Sequence, residues 1–268
     1  MIPLTLAYSP CPNDTFIFGA IATGQIDTHD LSFDIRLHDV QTLNERLLES
    51  TFDVSKVSFH AYLRARNTYN LLDAGAALGF GCGPLVVARD AEALRQPGHI
   101  RIAVPGELTT ANLLLHLWNP AIETRLFCRY DEVMAMVADG RADAGVIIHE
   151  SRFAYAQAGL VCIADLGAWW EHETGHPIPL GCIVARRAAA LPSADTLESL
   201  IRESIAYAQS HPETTTPYIA AHARELSPDV VAQHVAMFVN RFSLSLGEEG
   251  RAAIDRLATM AQGKVPGL

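Results

Sequence analysis

Short apolar runs alternate with amphipathic ones through the first two thirds of the chain, and the last third is helical throughout. Leu4-Thr5-Leu6-Ala7-Tyr8 reads as a strand and residues 16–23 as a helical run. Residues 31–37 alternate in and out as a second strand, 42–49 form a helix, and 53–56 a short strand. Ser58 opens a helix to Arg66, and 69–73 is a further buried segment. Leu85-Val86-Val87-Ala88-Arg89 is a continuous β-branched run of the kind that fills a central strand. A second series then repeats the alternation: strand 100–104, helix from Thr109 and Thr110 to Trp118, helix 130–139, strand 144–148 and strand 161–166. Beyond Ser193 the pattern predicts helices at 195–210, 214–223, 229–238 and 248–262, with Ser227-Pro228-Asp229 and Gly247-Glu248-Glu249 as start signals.

Between the two series, residues 90–99 are polar and contain Gln96-Pro97-Gly98, a place for the chain to change domain. Gly83-Pro84 before Leu85–Arg89 is echoed by Pro177-Ile178-Pro179-Leu180-Gly181 before an apolar run ending Arg186-Arg187. The two similar strands fit a paired hinge, although two unrelated buried strands would give the same pattern. The organisation expected is α/β, with residues 1–89 and 186–268 as a discontinuous domain I, 90–185 as domain II, and the helical tail packed on domain I. Ligands in open α/β sheets bind beyond the carboxyl ends of the strands, so the expected site is a cleft between the domains.

Four strand-to-helix junctions carry hydroxyl or titratable residues. The first is Ser9-Pro10-Cys11-Pro12-Asn13-Asp14-Thr15, where the prolines mark a rigid turn and Asn13 or Asp14 is the expected helix cap. The others are Lys56-Val57-Ser58, Thr109-Thr110-Ala111 and His149-Glu150. Free amides at helix N-termini suit a small acidic ligand, though Ser and Thr are also the commonest caps. Among eleven histidines, His149 follows directly on an apolar strand, where a half-buried imidazole can accept a proton; an ordinary structural histidine is the competing account. His172 and His176 are four apart, but Gly175-His176-Pro177 breaks the helix they would need, and no metal site is expected. Cys11 lacks a Cys-His-Asn order and reads as a packed thiol. Trp169-Trp170 suits a core, an interdomain contact or an aromatic ligand alike.

Charge and cysteine usage narrow the field. A formal charge of −10 without a basic stripe argues against nucleic acid as partner. Five scattered cysteines form no Cys-x-x-Cys pair. The longest apolar run, 74–88, is broken by glycines and a proline, so no membrane span is expected. Met1-Ile2-Pro3 runs at once into the first strand without a basic or cleavable segment, which points to a soluble cytoplasmic protein. No G-x-G-x-x-G or P-loop motif signals a nucleotide cofactor. Nothing selects an oligomeric state, and a monomer suffices.

The eight-residue run Ser9-Pro10-Cys11-Pro12-Asn13-Asp14-Thr15-Phe16 resembles the signature of the MqnD family, the 1,4-dihydroxy-6-naphthoate synthases of the futalosine route to menaquinone. Lys56-Val57-Ser58, Gly81-Cys82-Gly83-Pro84, Thr109-Thr110-Ala111, Ile147-Ile148-His149-Glu150-Ser151-Arg152-Phe153, Leu166-Gly167-Ala168-Trp169-Trp170 and Phe242-Ser243-Leu244 resemble the same family. The resemblance implies a periplasmic-binding-protein-like (type II) fold with two hinge strands, acting on a small carboxylate substrate, cyclic dehypoxanthine futalosine, without metal or redox cofactor. It further implies His149 as proton acceptor and Lys56, Val57, Ser58, Thr110 and Ala111 as substrate contacts; Ser9 and Asn13, at the first junction, are expected contacts of no assigned role. The alternatives are a non-catalytic binding protein or sensor on this fold, and the sibling chorismate dehydratase.

Overall fold

The structure is a computed structural model that describes residues 1–95, 100–188, 191–223, 227–265 and 268. The Gln96-Pro97-Gly98 segment, expected to link two domains, lies outside the described residues.

The first lobe opens with β1 (Ile2–Tyr8), α1 (Pro12–Ala22), β2 (Leu31–Leu37), α2 (Val40–Leu48), β3 (Val54–Ser58) and α3 (Phe59–Ala65). β1 pairs in parallel with β2 on one side and β3 on the other. Leu4, Leu6, Ala7 and Tyr8 are buried on both faces of β1, as a strand flanked on each side requires. Two short strands follow, β4 (Tyr69–Leu71) and β5 (Ala77–Gly79). The chain then crosses to a second sheet, built from β6 (Leu85–Ala88), β7 (Arg101–Val104), α4 (Thr110–Trp118), β8 (Thr124–Phe127), α5 (Val133–Ala138), β9 (Ala144–Ile147), β10 (Val161–Asp165) and α6 (Leu166–Thr174). It returns through β11 (Ile178–Arg186), which runs antiparallel to β3 and also pairs with β4 and β5.

The strand orders are β2-β1-β3-β11-β4, with β5 also on β11, and β10-β6-β9-β7-β8. The paired apolar runs singled out in the sequence therefore do not sit at 89/90 and 185/186 as the ends of one domain. β6 lies inside the second sheet and β11 inside the first, so the chain crosses just before each of them. At the first crossing, a Cβ on Gly83 would lie 2.3 Å from the Gly167 Cα at the start of α6, so only glycine admits this approach of two backbones.

The tail consists of α7 (Ala194–Ser210), α8 (Pro212–His222), α9 (Pro228–Phe238), α10 (Arg241–Leu244) and α11 (Gly247–Ala261). α7 and α8 cover α1 on the first lobe, as the pattern predicts. α9 also touches the 149–153 turn, and α11 packs on both β11 and α4, so the tail spans both lobes. The largest apolar cluster is accordingly shared, running from Val57 and Val184 of the first sheet through Val86 and Val146 of the second to Phe242 and Leu257 of the tail. Trp170 is fully buried in it, with Nε1 donating to the Pro177 carbonyl at 3.1 Å, which settles that indole as core. No helix among the described residues is long and apolar enough to cross a membrane.

Candidate active site

Each lobe places its crevice where the strand order reverses. In the first sheet, β1 leads through α1 to one neighbour and β2 leads through α2 to the other, so the carboxyl ends of β1 and β3 diverge around a gap. In the second sheet β7 leads through α4 to β8, and β8 through α5 to β9, on the far side of β7. The loops after β1, β7 and β9 carry Ser9, Thr109 and His149, and Ser58 is the last residue of β3, at its junction with α3. All four line one cavity with about 750 Å³ of atom-free space, its mouth included. Asn13, Lys56, Val57, Thr110 and Ala111 line it too, with Val40, Leu43, Leu180 and Phe238 as apolar wall.

The first-lobe wall is a buried polar chain. Ser9 donates to Asp14 Oδ2 from its hydroxyl at 2.7 Å and its amide at 3.3 Å. Asn13 Nδ2 donates to Asp14 Oδ1 at 2.8 Å, and Lys56 Nζ reaches the same oxygen at 3.2 Å while donating to the Gly75 carbonyl at 2.7 Å. Lys56 thus lines the cavity with its ammonium already paired, which is what a buried cation requires. The cap of α1 is Cys11, not Asn13 or Asp14: Pro12 takes the first helical position, where its missing N–H costs nothing, and the Asp14 carboxylate is turned to Ser9 and Lys56. Ser58 is held through Asn44, whose Nδ2 donates to Ser58 Oγ at 3.0 Å and whose Oδ1 accepts from the Ser58 amide at 2.9 Å.

On the second lobe, Thr109 caps α4 by accepting from the Asn112 amide at 3.2 Å. The Thr110 hydroxyl donates to the Leu180 carbonyl at 2.8 Å, so what Thr110 and Ala111 offer a ligand is their first-turn amides, which have no intrahelical acceptor.

His149 follows β9 with φ at 54°, a left-handed conformation uncommon for a non-glycine residue and shared in this chain by His29 and Ser50. The Tyr130 ring meets its edge at 5.0 Å, and the His234 ring lies nearly parallel to it at 6.0 Å, with an interplanar angle of 10°. Burial holds the His149 imidazole below its ordinary value, with nearby Glu150 and Asp14 pulling the other way and Lys56 adding to the depression. A neutral imidazole facing a cavity can take a proton. Beside it, burial pushes the Cys11 thiol far up, as do the charges of Glu150 and Asp14, which leaves a thiol rather than a thiolate nucleophile. Cys11, His149 and Glu150 each bring one donor atom within 4.8 Å of the others, the one grouping among the described residues with the donor set for a metal. His172 belongs to α6, which ends at Thr174 before a left-handed Gly175, so His172 and His176 do not share a helix. Tyr130 and His234 are the residues that sequence reasoning missed. The strand-to-helix rule looks only at junctions, and His234 reaches the site from the tail.

Two α/β lobes meeting across their switch points define the periplasmic-binding-protein-like fold. Solved structures of that class match throughout, among them the ligand-binding component of an ABC-type import system from Staphylococcus aureus (TM-score 0.69, 11% identity, covering 97% of this chain and 91% of that one). A Candida albicans protein described as having the generic periplasmic binding protein fold matches with TM-score 0.68 and 14% identity, over 97% and 90% of the two chains. At such identities the fold alone is shared. The sequence narrows the class: a family model described as menaquinone biosynthesis matches residues 4–263, and the chain belongs to that family. It is 47% identical to the 1,4-dihydroxy-6-naphthoate synthase of Thermus thermophilus, over 98% of this chain and 96% of that protein. Identity to the Streptomyces coelicolor protein of the same name is 42%, over 99% and 95%. A crystal structure from Archaeoglobus fulgidus superposes with TM-score 0.92 at 35% identity, covering 98% and 97%.

Proposed function

We propose that the protein is a 1,4-dihydroxy-6-naphthoate synthase acting as a carbon–carbon lyase on cyclic dehypoxanthine futalosine, with His149 as general base. The observation that carries this reading is the placement of His149, kept neutral by burial at the carboxyl end of β9, in the cavity that Ser9, Asn13, Ser58, Thr110 and Ala111 also line. Family membership and the names of the two relatives support the substrate class.

The chemistry asked of the site is modest. Deprotonation of the spiro-cyclic precursor starts carbon–carbon cleavage, the sugar-derived fragment leaves, and enolisation gives an aromatic diol. Aromatisation drives the sequence, so a positioned base, an anion cradle and exclusion of water suffice. The first-turn amides of α4 are the cradle in this scheme, and Val40, Leu43, Val57 and Leu180 offer an apolar surface to the ring system.

Incubation of purified protein with cyclic dehypoxanthine futalosine, and separately with chorismate, tests the reading. Formation of 1,4-dihydroxy-6-naphthoate from the first substrate is expected. Dehydration of the second would assign the sibling activity, and binding without product a sensor. His149→Ala is expected to lower turnover by roughly 10²- to 10⁴-fold. His149→Asn, which tolerates the left-handed backbone, should lose as much while keeping the wild-type melting temperature. Near-normal turnover by both variants would remove His149 as the base.

A further inference from the structure

His234 lies on α9, fully buried, and comes within reach of the site only through its neighbours. Its Nε2 stands 2.9 Å from Asn13 Oδ1, although 221 residues separate the two. The direction of that bond follows from chemistry. Asn13 Nδ2 donates to the Asp14 carboxylate, which can only accept, so the amide oxygen is the atom left to face His234. His234 Nε2 therefore carries the proton, and Nδ1 is bare, with no partner among the described residues. An apolar ring on this buried face would have avoided that unsatisfied nitrogen, as Phe238 one turn further along α9 does.

The position asks for a flat ring held in one plane. Lys56, Asp14 and Asn13 form a fixed chain, and the bond from His234 to Asn13 fixes the second ring at its end. That ring lies within 10° of parallel to His149, while the Tyr130 ring stands at 63° to His149 with the centroids 5.0 Å apart. The Tyr130 and His234 rings are the aromatic groups that pack against the His149 imidazole, and they limit the planes it can take.

We propose that His234 is a positioning residue for His149, a flat wall locked by Asn13 that holds the base's imidazole in the plane needed to meet the substrate proton. The proposal rests on His149 being the base. It is consistent with the charge state of the wall: burial, and then the nearness of His149, hold His234 well below the ordinary histidine value, so the wall stays neutral beside a base that gains a proton in turnover.

Two variants separate the ring from its hydrogen bond. His234→Gln keeps an N–H donor for Asn13 and removes the flat ring; His234→Phe keeps the ring. With cyclic dehypoxanthine futalosine as substrate, His234→Gln is expected to lower kcat about tenfold or more with KM changed less than about threefold, and His234→Phe, which keeps the ring but gives up its lock to Asn13, to lose clearly less in kcat than the Gln variant. A Gln variant with wild-type kcat, or a Phe variant as slow as the Gln variant, overturns the proposal. Crystal structures of the two variants read the same claim without substrate: the His149 ring should keep its plane in the Phe variant and turn or become disordered in the Gln variant. An unmoved His149 ring in the Gln variant would also overturn it. Absence of product from the wild-type protein would instead sink the functional reading, leaving the ring geometry as the measure of positioning.

Discussion

At the scale of single residues, a buried imidazole packed against an aromatic ring and a second imidazole is biased toward its neutral form. Burial, the largest influence on His149, opposes the charged ring, and Glu150 and Asp14 only partly restore it. The sign is direct for His149 as the proposed base: an imidazole lowered below the ordinary 6.5 is ready at neutral pH and is lost as a base as pH falls through its own midpoint. kcat/KM is therefore expected to be flat from about pH 7 upward and to fall about tenfold per unit on an acid limb whose midpoint lies below the ordinary histidine value. A pH-rate profile checks this, and a limb centred above that value would show that burial does not govern the base. The candidate residues were legible because each stands at a strand-to-helix junction with a hydroxyl, amide or imidazole. Their partners were not. Lys56, expected as a substrate contact, is tied to Asp14 and Gly75 in space, and the spacing of Asn13 and His234 carries no local signal at all.

At the scale of elements, the apolar periodicity located the central strands and the long tail helices, because burial on one face or two leaves a repeating mark. It placed α1 four residues late, since Pro12-Asn13-Asp14 look like a loop to any rule that reads composition, while Pro at the first helical position is compatible with the helix. The short β5 and β8 escaped notice: β5 is Ala-Leu-Gly at the edge of a glycine-rich turn and β8 has no buried residue, so neither shows the buried apolar run that marked the similarly short β6 and β9. What fastens the tail was equally hidden. Asp73, after β4, accepts from Arg202 at 3.0 Å, Arg251 at 2.6 Å and the Ser245 hydroxyl at 2.6 Å, joining three tail elements to the first lobe. Burial pushes the Asp73 carboxyl up, but Ser245, Arg251 and Arg202 outweigh it and hold it below 3.8. A depressed carboxylate stabilises the fold above its unfolded value and loses that contribution as pH falls below it. Asp73→Ala is expected to cost roughly 1–3 kcal/mol in urea unfolding near neutrality, with the difference from wild type shrinking on the acid side of that value. A variant as stable as wild type near neutrality would mean that these exposed arginines hold nothing.

At the scale of the whole molecule, the sequence announced two αβ series and a crossing, and the sheets show that each crossing strand belongs to the sheet it enters. The lobes are closed on one another by a small set of polar contacts around the cavity. Gln41 Oε1 on α2 accepts from the Leu108 amide at 3.1 Å, Asn44 Nδ2 donates to the Leu108 carbonyl at 3.2 Å, and Thr110 donates to Leu180 at 2.8 Å. Gly106, with φ at 131°, lets the loop before α4 come close: a Cβ there would lie 2.3 Å from Gln41 Oε1. Asn44 and Thr110 are also bound up with the cavity wall, so Gln41 is the contact that isolates closure from chemistry. An open cleft hydrates the Leu108 amide, and closure exchanges that water for Gln41, so the bond favours the closed state by about 0.5–1.5 kcal/mol. Gln41→Ala should therefore raise KM about two- to tenfold, by the fraction of closed, binding-competent molecules lost, while kcat changes little because the groups around His149 are untouched once the cleft has shut. Steady-state kinetics gives the split, and small-angle scattering without substrate should show a larger radius of gyration for the variant. A fall in kcat at constant KM would mean that Gln41 acts on the chemical step, and closure would then have to be carried by Asn44, Thr110 and the tail helix α11 that touches both lobes.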